Sequence, residues 1–204
     1  MIDYQTITLR KPNITDFAKE RNHLLKKASK DWILFLDSDE TVSLALKKEI
    51  NQAIKNPEYN YQLKRQDIFL NRKLRFGETS RVKLTRLVQK ETGKWQGRVH
   101  EVFKSILPLK TLKTPLTHQR AISLSEFLNR LNFYSSLRAQ ELFDNHQSFR
   151  LLQFQLIFYP PLKFIQNYIF RFGFLDGLPG LAMAFFMSLH SLFVRIKLYE
   201  LQNR

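Results

Sequence analysis

Five consecutive apolar residues, Trp32-Ile33-Leu34-Phe35-Leu36, run directly into the acidic tip Asp37-Ser38-Asp39-Glu40. As a strand, such a run has no solvent-facing alternate positions, so it must be covered on both faces. Its flanks offer that cover. A helix is predicted from about Thr15 to Ala28, capped by Thr15, with Phe17, Leu24, Leu25 and Ala28 on its apolar face. A second is predicted to start at the cap Ser43, with Leu46, Ile50 and Ile54 on one face and Lys47, Lys48 and Glu49 on the other. Helix, buried strand, acidic tip and helix in that order indicate an α/β sheet domain.

The acidic tip carries the first chemical expectation. In an extended chain alternate residues share a side, so Asp37 and Asp39 would face the same way. Two such carboxylates repel unless a cation lies between them. Oxygen ligands suit Mg²⁺ or Mn²⁺, with a diphosphate completing the shell. Ligands of α/β sheets also bind beyond the carboxyl ends of strands. Asp-x-Asp alone is a weak motif, and solvated acids that favour the following helix N-terminus are the simpler account of it. A calcium-binding EF-hand loop is disfavoured, because its glycine and terminal glutamate are missing at the required spacing.

Beyond Tyr59 the pattern changes. Tyr61–Arg65 and Val82–Val88 alternate apolar with polar residues, as strands do, and Glu91-Thr92-Gly93-Lys94 is turn chemistry. Another short strand is expected to end near His118, and a short strand and loop near the start to end at Pro12. Ser123-Leu124-Ser125-Glu126 is a capping box opening a helix to about Phe143; Pro160-Pro161 is expected to break the next one. Gly173, Gly177, Pro179 and Gly180 mark a bend before the last helix. The expected division is therefore a sheet region at 1–118 and a helical region at 119–204.

The helical region concentrates Phe, Leu and Ile, with Arg150, Lys163, Arg171, Arg195 and Lys197 interspersed. Residues 178–194 are nearly all apolar but short of the roughly 20 needed to span a bilayer. The reading is a set of helices lying in a membrane interface, with cations toward anionic lipid; a helical cap over the sheet and a transmembrane hairpin are the alternatives. The formal charge of +15 calls for an anionic partner. The absence of Cys excludes disulfides, thiolate zinc sites and a cysteine nucleophile. The N-terminal residues show no signal-peptide pattern.

Phe17-Ala18-Lys19-Glu20-Arg21-Asn22 followed by Asp31-Trp32-Ile33-Leu34-Phe35-Leu36-Asp37-Ser38-Asp39-Glu40 resembles the central block of family 2 glycosyltransferases, in particular the bacterial lipopolysaccharide-core glucosyltransferase-like group. Trp95-Gln96-Gly97-Arg98-Val99-His100-Glu101, then His118 with the helix carrying Asn132-Phe133-Tyr134-Ser135, then Phe172-Gly173-Phe174-Leu175-Asp176-Gly177, look like further signatures of that group. The resemblance implies a partial GT-A (Rossmann-like) sheet followed by a membrane-associating helical region. It implies an inverting transferase with a nucleotide-diphosphate sugar donor, a lipid-linked or lipopolysaccharide-type acceptor and Mg²⁺ or Mn²⁺. The place of work would be the cytoplasmic face of the cell membrane, in cell-envelope biosynthesis.

On that resemblance Asp39 would bind the metal with Asp37 and His118, and Asp37 would also lie near the donor's ribose or sugar. Arg21, Asn22 and Arg86 would contact the donor, Arg86 with Lys83 as neutralising charges for the leaving diphosphate. Glu101 is the candidate general base, able to take the acceptor hydroxyl proton. His100 would bind diphosphate or metal, or orient the acceptor. Trp95 offers a ring for a sugar face, and Gly97 allows close backbone approach. Read without the resemblance, the Trp95–Glu101 stretch is a turn with a core Trp and a surface Glu, and a lone His118 is as readily structural. By comparison with the family, roughly the first two βα units are expected to be missing from the start of the chain, which implies open sheet edges and impaired turnover. The competing class is a non-catalytic basic module for membranes or nucleic acid. No zinc-finger spacing, RNA-recognition signature or Arg-rich recognition helix supports nucleic acid.

Overall fold

The computed structural model describes residues 4–9, 14–98, 101–120, 123–145 and 152–203. They form two compact units, one of residues 1–67 and 81–119, the other of residues 68–80 and 120–204. The segment 68–80 thus belongs with the C-terminal helices, a grouping that the run of the sequence does not suggest.

In the first unit, β1 (Tyr4–Leu9) lies at one edge of the sheet, parallel to β2 (Trp32–Asp37), from Tyr4 opposite Trp32 to Leu9 opposite Asp37. On its other side β2 pairs antiparallel with β6 (Lys83–Gln89), and β6 with β4 (Asn60–Phe69). The sheet continues through β10 (Leu116–Gln119) to β3 (Glu40–Thr41), and β9 (Leu109–Thr111) runs parallel to the start of β4. A separate ribbon pairs β7 (Gly93–Gln96) with β8 (Val102–Ser105).

The strand β2 is buried on both faces, as its composition requires. Trp32, Leu34 and Leu36 enter one core with Leu46, Ile50, Tyr61, Leu63 and Leu87. Ile33 and Phe35 enter the other with Ala18, Leu25, Val88, Trp95 and Phe103. The two flanking helices, α1 (Phe17–Lys27) and α2 (Leu44–Ala53), cover opposite faces. The cap of α1 is Asp16 and not Thr15: extended Asp16 accepts from the Lys19 amide at 2.8 Å. Ser43 caps α2 as expected, its hydroxyl accepting from the Leu46 amide at 3.1 Å. Ser43→Ala should lower stability by about 1 kcal/mol in urea unfolding; an unchanged midpoint would mean water replaces the cap at no cost.

In the second unit, Ile68 and Phe69 of β4 pair with β5 (Arg72–Lys73) across a tight turn at Leu70 and Asn71, both left-handed at φ 49° and 59°. Helix α3 (Leu124–Asp144) opens at Ser123, whose hydroxyl accepts from the Glu126 amide, the capping box read from sequence. Helix α4 (Leu152–Ile165) passes through Pro160 and Pro161 without breaking, contrary to expectation. The carbonyl of Pro160 is used from outside the helix, accepting from the Ser188 hydroxyl at 2.6 Å. A π-turn (Gln166–Phe170) and a 3₁₀ turn (Gly173–Asp176) then lead to α5 (Leu178–Gln202). The bend needs glycine where it folds tightest: a Cβ on Gly180 would stand 2.0 Å from the Gly173 carbonyl oxygen. Asp176 accepts from the amides of Arg75 and Phe76, tying the β5 loop to this bend. By length and composition α5 could cross a membrane, yet Met183, Ala184, Ser191, Val194 and Leu198 are buried within the unit.

Candidate active site

The site grows from the C-terminal end of β2. On α1, Ala18, Arg21 and Leu25 share the inward face, so Arg21 enters the core beneath the sheet edge and is fully buried. Its guanidinium lies 5.4 Å from the centroid of Phe35 and 5.0 Å from that of Trp95, which exclude water around it. Its fork spans two carboxylates, with Nη2 donating to Asp37 Oδ1 at 2.7 Å and Nε to Glu101 Oε1 at 3.0 Å. On β6, the neighbour of β2, buried Arg86 donates through Nη2 to Asp37 Oδ2 and, at 2.8 Å, to Glu40 Oε1. Glu40 closes the network by accepting from the Asp37 amide through Oε2 at 2.9 Å.

The network therefore joins three carboxylates through two guanidiniums. Burial pushes Arg21 below its ordinary pKa, helped by the Arg86 cation, against the pull of Asp37, Glu101 and Glu40. Arg86 is also penalised by burial, but Asp37 and Glu40 more than offset this and raise it. Guanidinium stays protonated in either case, so both arginines are permanent counter-charges.

The second element is a histidine between carboxylates. The strands β3 and β10 pair with His118 opposite Glu40, and the Gln119 amide donates to the Asp39 carbonyl at 2.8 Å. His118 Nδ1 lies 2.8 Å from Asp67 Oδ1, and Nε2 faces Asp39 Oδ2 at 3.5 Å. Asp67 is itself buried and ion-paired with Arg65, whose Nε lies 2.9 Å from Oδ1. With Nδ1–H donated to Asp67, the Nε2 lone pair confronts a carboxylate, and a proton or a cation must lie between them. Burial works against the imidazolium, but bonding to Asp39 and Asp67 outweighs it, against Arg65, and raises His118 above its usual pKa.

That shift has a definite pH signature. The stabilisation from charged His118 is present in full below the unfolded value of about 6.5 and is lost as pH rises through the raised folded value. In the absence of metal, the thermal midpoint should fall over that window, and a His118→Asn variant should lack this step. A wild-type profile identical to that of the variant would show that His118 is not held as the imidazolium.

Several sequence expectations meet a different arrangement. β2 ends at Asp37, and Ser38 and Asp39 form a turn, so strand alternation does not put Asp37 and Asp39 on one side. Both oxygens of Asp37 are taken by Arg21 and Arg86, so two guanidiniums and not a metal ion compensate it. Arg21 and Arg86 are themselves enclosed, which removes them from direct reach of a donor phosphate. Asn22 clamps the backbone of Trp95, its side-chain amide donating to the carbonyl and accepting from the amide N–H, both at 2.8 Å. Trp95 is a core residue, 3% exposed and packed edge-on against Phe35 and Phe103, so no sugar can stack on it.

Gly97 does have a backbone role. Its φ of 97° suits glycine and turns the chain out of β7 toward Glu101, while the Arg98 carbonyl accepts from the Phe17 amide at 2.9 Å. His100 lies outside the described residues. Beside this turn an open groove of about 660 Å³ runs along α1, lined by Lys19, Asn22, His23, Lys26, Gln96 and Arg98 among others.

The sequence reading missed Glu40, Asp67 and Arg65. Glu40 was visible as part of the acidic tip but not as a buried partner. Asp67 carries a signal, an acid two residues beyond the expected strand Tyr61–Arg65 and in step with its apolar positions Tyr61 and Leu63.

The residues present fit a divalent cation in part. Among the described residues no three His, Asp or Glu side chains gather to hold a metal. Asp39 and His118 offer two opposed donors, and Asp67 fixes the imidazole as a carboxylate behind a ligating histidine does.

The family model for glycosyl transferase family 2 matches residues 2–106, a span holding Arg21, Asp37, Asp39, Arg86 and Glu101. A comparison with curated proteins finds no match. The chain belongs to glycosyl transferase family 2.

Proposed function

We propose that the protein transfers a sugar, with inversion, from a nucleotide-diphosphate sugar to a lipid-linked or lipopolysaccharide-type glycan at the cytoplasmic face of the cell membrane. Family membership makes a nucleotide sugar and an acceptor its substrates. The observation that carries the finer reading is Arg21. One buried guanidinium joins the acidic end of β2 to Glu101, so residues 64 positions apart in sequence meet at one place.

Glu101, part-exposed at 13%, is the general base. Its second oxygen accepts the proton of the acceptor hydroxyl as the hydroxyl oxygen attacks the anomeric carbon. Arg21 holds Oε1 and orients the carboxylate. Asp37, locked by two arginines, presents a fixed negative edge to the donor's ribose or sugar hydroxyls. Asp39 and His118 would hold Mg²⁺ or Mn²⁺. When bound, such an ion supplies positive charge for the leaving diphosphate.

Calorimetry with nucleoside diphosphates tests this reading. Binding should require Mn²⁺, should be lost in Asp39→Ala, and should weaken by about 10–100-fold in Asp67→Ala, which leaves the ligands but frees the imidazole. Metal-independent binding, or binding unaffected by Asp39→Ala, would remove the metal role from these residues.

A further inference from the structure

The second unit carries an apolar surface that none of its described residues covers. On α4 and the π-turn, Phe154, Ile157, Phe158, Leu162, Ile165 and Ile169 follow helical spacing and are all 41% to 67% exposed. Pro161 is exposed on the same face. The stripe is about 20 Å long at 1.5 Å per residue. It continues into the following bend, where Phe170, Phe172, Leu175 and Leu178 are 71%, 52%, 57% and 71% exposed. Phe172 is held outward in a left-handed conformation, φ 57°, that a bulky residue rarely adopts. A contiguous patch of this size marks an interaction surface.

The chemistry of the patch selects its occupant. A protein partner would be met by roughly one hydrogen bond per 100–200 Å². The stripe side chains carry no donor or acceptor at all. A hydrocarbon phase asks for none, provided the backbone is satisfied internally, as it is in a helix. Charge agrees, since residues 68–80 and 120–204 hold 12 Lys and Arg against 6 Asp and Glu and the membrane surface they would meet is anionic. Depth is limited by α3. That helix packs along α5 and carries Glu126, Arg130, Arg138 and Glu141, and Lys197 of α5 bonds to Asn132, Ser135 and Ser136 of α3. Full immersion of α5 would bury these charges in hydrocarbon.

From this we infer that α4 and the 170–178 bend sink into one leaflet of a lipid bilayer while α5 stays within the unit and does not cross it. The inference deepens the proposed function, since it rests on the acceptor being presented at a membrane.

The full chain is floated with phosphatidylcholine vesicles, with and without phosphatidylglycerol. Wild type should float, more strongly with the anionic lipid, and alkaline carbonate should release it. Phe158→Ser with Leu162→Ser should weaken partitioning by about tenfold or more for each side chain removed from lipid. Leu44→Ser, a 78% exposed apolar residue of the first unit, should float like wild type. A Phe170→Trp reporter should be quenched by brominated acyl chains, over a weakly quenched background from buried Trp32 and Trp95.

Three results would each overturn the inference: no flotation of wild type, resistance to carbonate with α5 shielded from protease across the bilayer, or a wild-type dimer that becomes a monomer in the stripe variant. Nucleotide binding measured without lipid separates the two readings. Flotation without nucleotide binding would sink the transfer reading and leave the leaflet surface standing.

Discussion

Replacing Arg21 by Met should cost about 3–5 kcal/mol of stability, the usual consequence of removing one partner from a buried ionic network. Methionine fills most of the volume between Phe35 and Trp95, so the loss isolates charge from packing. With the guanidinium gone, Glu101 loses its Nε contact and Asp37 keeps only Arg86. Arg21→Lys should recover only part of the loss, because an ammonium group cannot fork to two carboxylates from one fixed plane. Urea unfolding with tryptophan fluorescence measures this directly, since Trp95 lies against the site. The control is Arg130→Ala. Its pair with Glu126 is an exposed i,i+4 contact, 43% and 38% accessible, worth about 0.3–0.5 kcal/mol. If Arg21→Met cost no more than that control, the buried network would not be holding the site.

The second large effect concerns chemistry. Glu101→Gln should lower the transfer rate by about 10²–10⁴-fold while leaving Mn²⁺-dependent nucleotide affinity unchanged. The amide oxygen can still accept from Arg21, so the local geometry survives while the basic group is lost. The measurement pairs calorimetry for the nucleotide with release of nucleoside diphosphate from the bound donor sugar in the presence of acceptor. A rate unaffected by the substitution would move the base to another carboxylate. A rate and an affinity lost together would make Glu101 a donor-binding or folding residue instead.

Much of the fold could be read from local pattern because local physics fixes it. The run Trp32–Leu36 has no polar position, and the structure buries it between two cores. Ser43 and Ser123 cap helices because a hydroxyl one residue before an apolar periodic segment meets a free amide there. Pro160-Pro161 misled in the opposite direction. Pro160 and Pro161 deprive the carbonyls four residues earlier of their amide partners, but whether the helix survives that loss depends on contacts from elsewhere in the chain, such as the Ser188 hydroxyl that donates to the Pro160 carbonyl.

The site divides along the same line. Sequence alone supplied residue types and their membership in motifs: acids at the end of a buried strand, Glu101 after the Gly97 turn, and a histidine at 118. Spacing and charge sign survive translation into three dimensions, so those assignments needed no coordinates. The burial of Arg21, the diversion of Asp37 to two guanidiniums, the conversion of Trp95 from a surface platform into a core ring, and the orientation of His118 by Asp67 were decided by tertiary structure only. Each is a contact between residues far apart in the chain, made in a water-excluded interior where pairing is compulsory, and no local window of sequence contains both partners.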